Sequence, residues 1–92
     1  MYATQARVFI RKLIRLQQVM EQKGYRHTDQ PAIRQSRKHL KIYLDYFRYD
    51  SDDKMRRFLE HNQKHIRTLL PGENHPAFQK LMEEYLELQP ND

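Results

Sequence analysis

Glycine and proline, the two residues that interrupt helices, are rare in this chain of 92 residues and occur at a few places. The two glycines and four prolines are Gly24, Pro31, Pro71, Gly72, Pro76 and Pro90. Long segments without either residue lie between these positions. Because such residues mark the ends of helices more often than their interiors, this spacing predicts long helices joined by short connections.

The first segment, at about residues 3–23, shows the apolar spacing of an amphipathic helix that ends at Gly24. Apolar residues recur at intervals of three and four, which places them on one stripe. The stripe consists of Ala6, Phe9, Leu13, Leu16 and Met20, widened by Ile10 and Ile14. A second apolar line, Val8 and Val19, lies on the far side of the helix. A helix with two apolar sides is expected either at the centre of a bundle or at a dimer interface.

The second segment is expected to begin with Thr28 or Asp29 as N-cap and with Pro31 in the first turn, and to run to about Arg48. It repeats the same helical spacing, so a second amphipathic helix is predicted. Its stripe consists of Ile33, Ser36, Leu40, Tyr43 and Phe47.

Two further helices are predicted in the second half of the chain. The third opens at the polar run 50–53 and continues until Pro71 and Gly72, and the fourth begins near His75 and Pro76. The stripe of the third consists of Met55, Leu59, Asn62, Ile66 and Leu69, and that of the fourth of Phe78, Leu81, Met82, Tyr85 and Leu88. Asn62 is expected to be hydrogen-bonded and to set the register of its helix, since a buried amide without a partner is costly.

The pattern of elements determines the expected fold class. No segment alternates apolar and polar residues as a half-buried strand does, and the connections are too short to hide one. We therefore predict an all-α fold and a single helical domain over residues 1–92. Short connections favour antiparallel neighbours, so a four-helix antiparallel (up-down) bundle is the first prediction and an irregular helical bundle the alternative.

Composition limits the chemistry and the location of the chain. The absence of cysteine excludes disulfides, thiolate nucleophiles and thiolate metal sites. No apolar run is long enough for a membrane span or a secretory signal, so a cytoplasmic location without membrane contact is expected. Residues 1–20 are basic, amphipathic and free of acids, which is the pattern of organellar presequences. They lack the serine enrichment of such peptides, so a presequence is not the favoured interpretation.

Charge is distributed unevenly along the chain. Residues 1–49 carry eleven Lys and Arg against three acids, a net charge of +8, whereas residues 50–92 carry six against nine, a net charge of −3. One basic row on the first helix consists of Arg7, Arg11 and Arg15, which fall within about 80° of one another. A second row, on the second helix and interrupted by Asp45, consists of Arg34, Lys38, Lys41 and Arg48. These rows either bind phosphates, or are solvated or paired internally, and the candidates for internal pairing are Glu83, Glu84 and Glu87.

Aromatic residues accompany the basic row of the second helix. Tyr46 and Tyr49 lie with Ile42 between the core stripe and the basic row, where they either stack on bases or a protein partner or close the edge of the bundle. The first connection extends the same surface with Tyr25, Arg26 and His27. The candidate nucleic-acid-binding residues are therefore Arg7, Arg11, Arg15, Arg26, Arg34, Lys38, Lys41, Tyr46, Arg48 and Tyr49.

Candidate sites for metal binding or catalysis have simpler explanations. His61 and His65 have chelating spacing but no evident third ligand, and the acids at 50–53 are explained by capping of the third helix. We therefore expect no metal, no cofactor, no small-molecule substrate and no catalytic residues. The spacings Arg34 to His39 and Arg56 to His61 resemble the R-x4-H pattern of HEPN-type ribonucleases. On a regular helix, side chains five residues apart point about 140° from each other, so shared chemistry requires a distortion.

Three functions follow from these observations. The leading hypothesis is a non-enzymatic regulatory or binding protein whose basic helix faces contact nucleic-acid phosphates. The alternative is a protein–protein adaptor or inhibitor that acts on another protein or on a second copy through tyrosine-rich and apolar helix faces. A HEPN-like ribonuclease is the outside alternative, implied by the resemblance alone.

Overall fold

The computed structural model describes residues 2–24, 30–46, 51–70 and 75–89, and almost all of them are helical. The helices found in these ranges are α1 (Tyr2–Gln22), α2 (Pro31–Tyr46), α3 (Asp52–His61), α4 (Gln63–Leu69) and α5 (Pro76–Leu88). No strand occurs in the part of the chain that is described, so the all-α class is confirmed. Within the same ranges, no helix is both long and apolar enough to cross a lipid bilayer.

Local sequence signals account for most of the helix ends. α1 ends at Gln22, two residues before Gly24, whose φ of 86° lies in the left-handed region that glycine adopts without steric cost. Ser51 is the N-cap of α3, where its side chain accepts a hydrogen bond of 3.2 Å from the backbone N–H of Lys54. His75 caps α5 in the same way through Nδ1, which accepts from the N–H of Ala77 at 3.1 Å. The N-cap candidates Thr28 and Asp29 lie outside the described residues.

The prediction of one continuous third helix is wrong, because the structure divides that helix at Asn62. The backbone of Asn62 leaves the helical region, with φ of −108° and ψ of 17°. Its side-chain Nδ2 donates to the carbonyl oxygen of Phe58 at 2.9 Å, and its backbone N–H donates to the same oxygen at 3.0 Å. A side-chain amide that competes for a helical carbonyl distorts a helix locally, and here it separates α3 from α4.

Helix α1 lies at the centre of the fold, since its backbone approaches that of every other described helix to within 8 Å. Arg11 pairs with Asp45, and Glu21 with Arg34, so α2 runs antiparallel to α1. Gln17 hydrogen-bonds to the carbonyl of Leu69, and the N–H of Ala3 to Asp52, so α3 and α4 run in the same direction as α1. Lys12 pairs with Glu84 on α5, and the hydroxyl of Tyr2 donates to the carbonyl of Leu88 at 3.0 Å, so α5 is again antiparallel to α1.

The buried face of α2 is rotated from the predicted one. Leu44 is 1% exposed and belongs to the core, whereas Tyr43 is 41% exposed. Tyr43 was predicted in the core, and this prediction is wrong because its ring lies at the surface of α2, where it stacks on the ring of His39 one turn earlier. Phe47, the next residue of the predicted stripe, lies outside the described residues.

Helix α1 contributes a buried polar residue that the apolar pattern does not indicate. Gln17 is fully buried, and its Nε2 donates to the carbonyl of Leu69, while its Oε1 has no hydrogen-bond partner. Leu16, predicted in the core, is only partly buried and packs against the edge of the core. The remaining stripe residues of α1 are buried as predicted: Ala6, Phe9, Leu13 and Met20.

Candidate functional site

A groove between α1 and α2 brings together members of both predicted basic rows. It encloses about 300 Å³ and is lined by Arg11, Ile14, Arg15, Gln18, Lys41, Leu44 and Asp45. Ile14 and Leu44 are buried, whereas the charged side chains are exposed. Because α1 and α2 are antiparallel, residues that are far apart in sequence line the same groove.

The charges in this groove are not balanced. Arg11 approaches Asp45 at 3.6 Å, and both side chains are more than half exposed, at 59% and 52%. An ion pair at that exposure contributes little to stability, because water screens it. Among the described residues, Arg15 and Lys41 make no hydrogen bond or ion pair. Three cations therefore face one carboxylate.

A shallow depression on the outer side of α2 adjoins the groove. Its lining consists of Lys38, Lys41, Ile42, Asp45 and Tyr46. Lys41 and Asp45 also line the groove, so the two surfaces are continuous. Ile42 is 50% exposed and Tyr46 is 78% exposed, which gives the depression an apolar and aromatic centre. We call the groove and the depression together the basic face.

Several predicted site residues lie away from the basic face. Arg34 donates through Nε to Oε1 of Glu21 at 2.9 Å, and Arg37 hydrogen-bonds to the other carboxylate oxygen. The hydrogen bond from Arg37 and the charges of both guanidinium groups lower the pKa of Glu21. Arg7 is partly buried one turn before Arg11 and does not line the groove. Arg26, Arg48 and Tyr49, like Tyr25 and His27, lie outside the described residues.

The acidic helix α5 forms an ion pair with Lys12 of α1, a residue that lies beside the basic rows and not within them. Glu84 approaches Lys12 at 3.5 Å. In the described part of the chain, no ion pair joins α5 to Arg11, Arg15, Lys38 or Lys41. A second groove of about 270 Å³ lies between α1 and α5, and this Lys12–Glu84 pair is part of its lining. Internal pairing therefore affects Lys12 through Glu84, Arg11 through Asp45, and Arg34 through Glu21.

A cluster of rings joins α2 to α4 on the opposite side of α2. The ring of His39 stacks on that of His65, with centroids 4.2 Å apart, and on that of Tyr43, at 4.3 Å. Nε2 of His39 donates to Oδ1 of Asn62 at 2.9 Å, and Nδ1 of His65 shares a hydrogen bond of 2.9 Å with the hydroxyl of Ser36. Burial lowers the pKa of His65, and the neighbouring His39 and Lys64 lower it further.

The ring cluster offers no space for a phosphate between the two imidazoles, since their centroids are only 4.2 Å apart. Arg34 and His39, which have the R-x4-H spacing, contact different helices: Arg34 pairs with Glu21 of α1 and His39 with Asn62. Over the residues that the structure describes, no three His, Asp or Glu side chains are grouped as metal ligands.

The structure adds residues that sequence reasoning missed. Gln18 lines the groove, and Arg37, which is largely buried, binds Glu21 together with Arg34. The spacing of His39 and Tyr43, four residues apart, was an available signal for the ring stack, because such residues are neighbours on a helix. No sequence signal indicated that His65 would meet them from α4.

A comparison of the chain with models of protein families, with curated proteins and with solved structures found no match.

Proposed function

We propose that this chain is a non-enzymatic regulatory or binding protein whose basic face contacts the phosphates of a nucleic acid. The observation that carries the proposal is the position of Arg15 and Lys41. They come from different helices, line the same groove, and make no ion pair or hydrogen bond with any described residue. Contacts of this kind depend on charge and position and carry no sequence information.

Repulsion within the basic face supports a bound anion. Arg11 and Arg15 are four residues apart on α1, and like charges at that spacing destabilise a helix slightly. Lys41 adds a third positive charge from α2. A row of bound phosphates would remove this repulsion, and the counterions condensed on the nucleic acid would be released, which is the main source of affinity for a polyanion.

We also propose that the scaffold is an antiparallel four-helix bundle in which α3 and α4 act as one bent helix. The contacts of α1 with α2, with α3 and α4, and with α5 give the alternating directions that such a bundle requires. The backbone hydrogen bond from Ile66 to the carbonyl of Asn62, at 3.0 Å, continues the helical bonding across the bend. In this arrangement two rigid helices hold the cations of the basic face in place.

The proposal is tested by measuring binding to fluorescently labelled DNA and RNA over a salt series from about 50 to 200 mM. Four cations on the basic face, Arg11, Arg15, Lys38 and Lys41, correspond to a slope of log affinity against log salt of roughly −3. In the Arg15→Glu/Lys41→Glu double variant, we expect binding to be lost or the slope to become shallower by about 1 to 2.

The matched control is the double variant Arg57→Glu/Lys80→Glu. It changes the net charge by the same amount at two exposed positions on α3 and α5. We expect it to keep most of the affinity and the slope. No binding at low salt, a flat salt dependence, or equal losses in the two double variants would contradict the proposal.

A second candidate function, docking of a protein or of a second copy on α2, is favoured by the exposed side chains of that helix. Ile42, Tyr43 and Tyr46 are among the exposed large apolar residues of the described chain. Apolar and aromatic residues at a protein surface are typical centres of protein interfaces. A partner that is retained after nuclease treatment, and whose binding survives Arg15→Glu/Lys41→Glu, would favour this function over the first.

A further inference from the structure

The groove and the depression of the basic face differ in the side chains that they expose. This difference indicates whether the basic face binds a single strand or a duplex. In the groove, cations stand above a buried apolar floor that lies between two helices. In the depression, two lysines border the exposed side chains of Ile42 and Tyr46. The groove therefore offers charge, and the depression offers charge together with apolar and aromatic surface.

The apolar part of the depression contains two of the exposed large apolar side chains of the described residues, Ile42 and Tyr46. The exposed large apolar side chains among the described residues are Val8, Ile42, Tyr43, Tyr46 and Leu86. Three of these belong to α2, and Ile42 and Tyr46 border the same lysines that extend the groove. Tyr46 has the largest exposed fraction of the five, at 78%.

A nucleic-acid duplex would contact the charges of this surface but would not stack bases on its aromatic side chain. Its bases are paired and stacked inside, so a protein face that approaches from outside meets phosphates and sugars first. A lone helix can enter the major groove, but Arg11, Arg15 and Lys41 line a recess between α1 and α2. In a single strand the base faces are accessible, and they stack on exposed aromatic side chains beside a basic groove that follows the backbone.

We infer that the basic face takes a single-stranded nucleic acid, with phosphates at Arg15 and Lys41 and a base stacked on Tyr46 beside Ile42. This inference rests on the proposed function, because it concerns the same surface. Asp45 lies at the junction of the groove and the depression, and Arg11, 3.6 Å away, offsets its charge. Because Arg11 offsets the negative charge of Asp45, the phosphates of a bound strand can extend from the groove into the depression.

The inference is tested with a labelled oligonucleotide that cannot pair with itself, measured alone and after annealing to its complement, as DNA and as RNA. The single strand is expected to bind more tightly than the duplex at the same salt concentration. Tyr46→Ala should weaken binding of the single strand by roughly 5- to 150-fold, the range for loss of one stacked base, and leave duplex binding unchanged. Tyr46→Phe, which keeps the ring, should bind like the unmodified protein.

Leu86→Ala is the matched control, because Leu86 is an exposed apolar residue on α5, 61% exposed, outside the basic face. It should leave binding of the single strand unchanged. Circular dichroism of each variant checks that the helices are retained, and Tyr46 is suited to substitution because it is the last residue of α2 and is exposed.

The results separate this inference from the function on which it rests. Equal or tighter binding of the duplex, or a Tyr46→Ala variant that binds the single strand normally, overturns the inference even if Arg15→Glu/Lys41→Glu abolishes binding and so supports the proposed function. No binding of either form at low salt overturns both. Self-association that Tyr46→Ala removes, seen by sedimentation, would assign the depression to a second copy and overturn the inference.

Discussion

The ring stack and the hydrogen bond of His65 are made with residues that are distant in sequence. Its spacing from His61 draws attention to chelation, but in the structure its ring stacks on His39 and its Nδ1 bonds to Ser36, both on α2. The sequence shows which residues share a face of one helix and does not show which faces meet. The ring cluster could therefore not be predicted, although each of its members was visible in the sequence.

We predict that His65 makes the stability of the fold depend on pH. Burial lowers its pKa in the folded state below the usual value of 6.5. Above that value the imidazole is neutral in both states and contributes nothing to the pH dependence. As the pH falls below it, the unfolded chain binds the proton first, so the free energy of unfolding decreases.

The measurement is urea unfolding between about pH 7.5 and 5.5, a window that lies above the titration of carboxylates. His65→Gln should show a weaker decrease in stability over this window than the unmodified protein. His61→Gln, at an exposed position one turn earlier, should keep the full decrease. Identical pH profiles for the two variants would show that His65 is not the group responsible.

At the scale of helices, glycine, proline and capping residues predicted the ends more reliably than periodicity predicted the buried faces. Gly24, Ser51 and Pro76 lie where the sequence placed helix ends. The inner face of α2 was harder to predict, because Tyr43 and Leu44 are both apolar and intervals of three and four both fit a period of 3.6. Packing decides in favour of Leu44, which is buried in the core and lines the groove between α1 and α2.

We predict that Asn62 stabilises the bend between α3 and α4 and its contact with α2. Asn62→Ala removes the bonds from Nδ2 to Phe58 and from His39 to Oδ1, and it leaves a partly buried imidazole N–H without a partner. The free energy of unfolding should fall by about 1 to 3 kcal/mol. The higher helix propensity of alanine offsets only a few tenths of a kcal/mol of this loss.

Gln63→Ala is the control for this substitution, because Gln63 is the adjacent first residue of α4 and makes no side-chain hydrogen bond with the described residues. Urea unfolding of both variants gives the comparison. If Asn62→Ala is as stable as Gln63→Ala, the side-chain bonds of Asn62 do not hold the bend.

For the whole molecule, the effect of the uneven charge depends on which helices lie next to each other. The sequence left open whether the acidic end of the chain neutralises the basic rows. In the structure α5 lies beside α1 and its Glu84 pairs with Lys12, whereas Arg15 and Lys41 meet in a groove on the side of α2. The two basic rows could be predicted from helical spacing. That Arg15 and Lys41 line one groove could not be predicted, because it depends on the antiparallel contact of α1 with α2.

An NMR titration of the isotope-labelled protein with a short nucleic acid, followed by backbone amide and arginine side-chain signals, locates the binding surface directly. We predict that the largest changes occur on α1 around residues 11–18 and on α2 around residues 38–46, which hold the lining of the groove and the depression. Signals of α4 and α5 should change little. Largest changes on α4 or α5, or no change at low salt, would contradict the claim that the basic face binds nucleic acid.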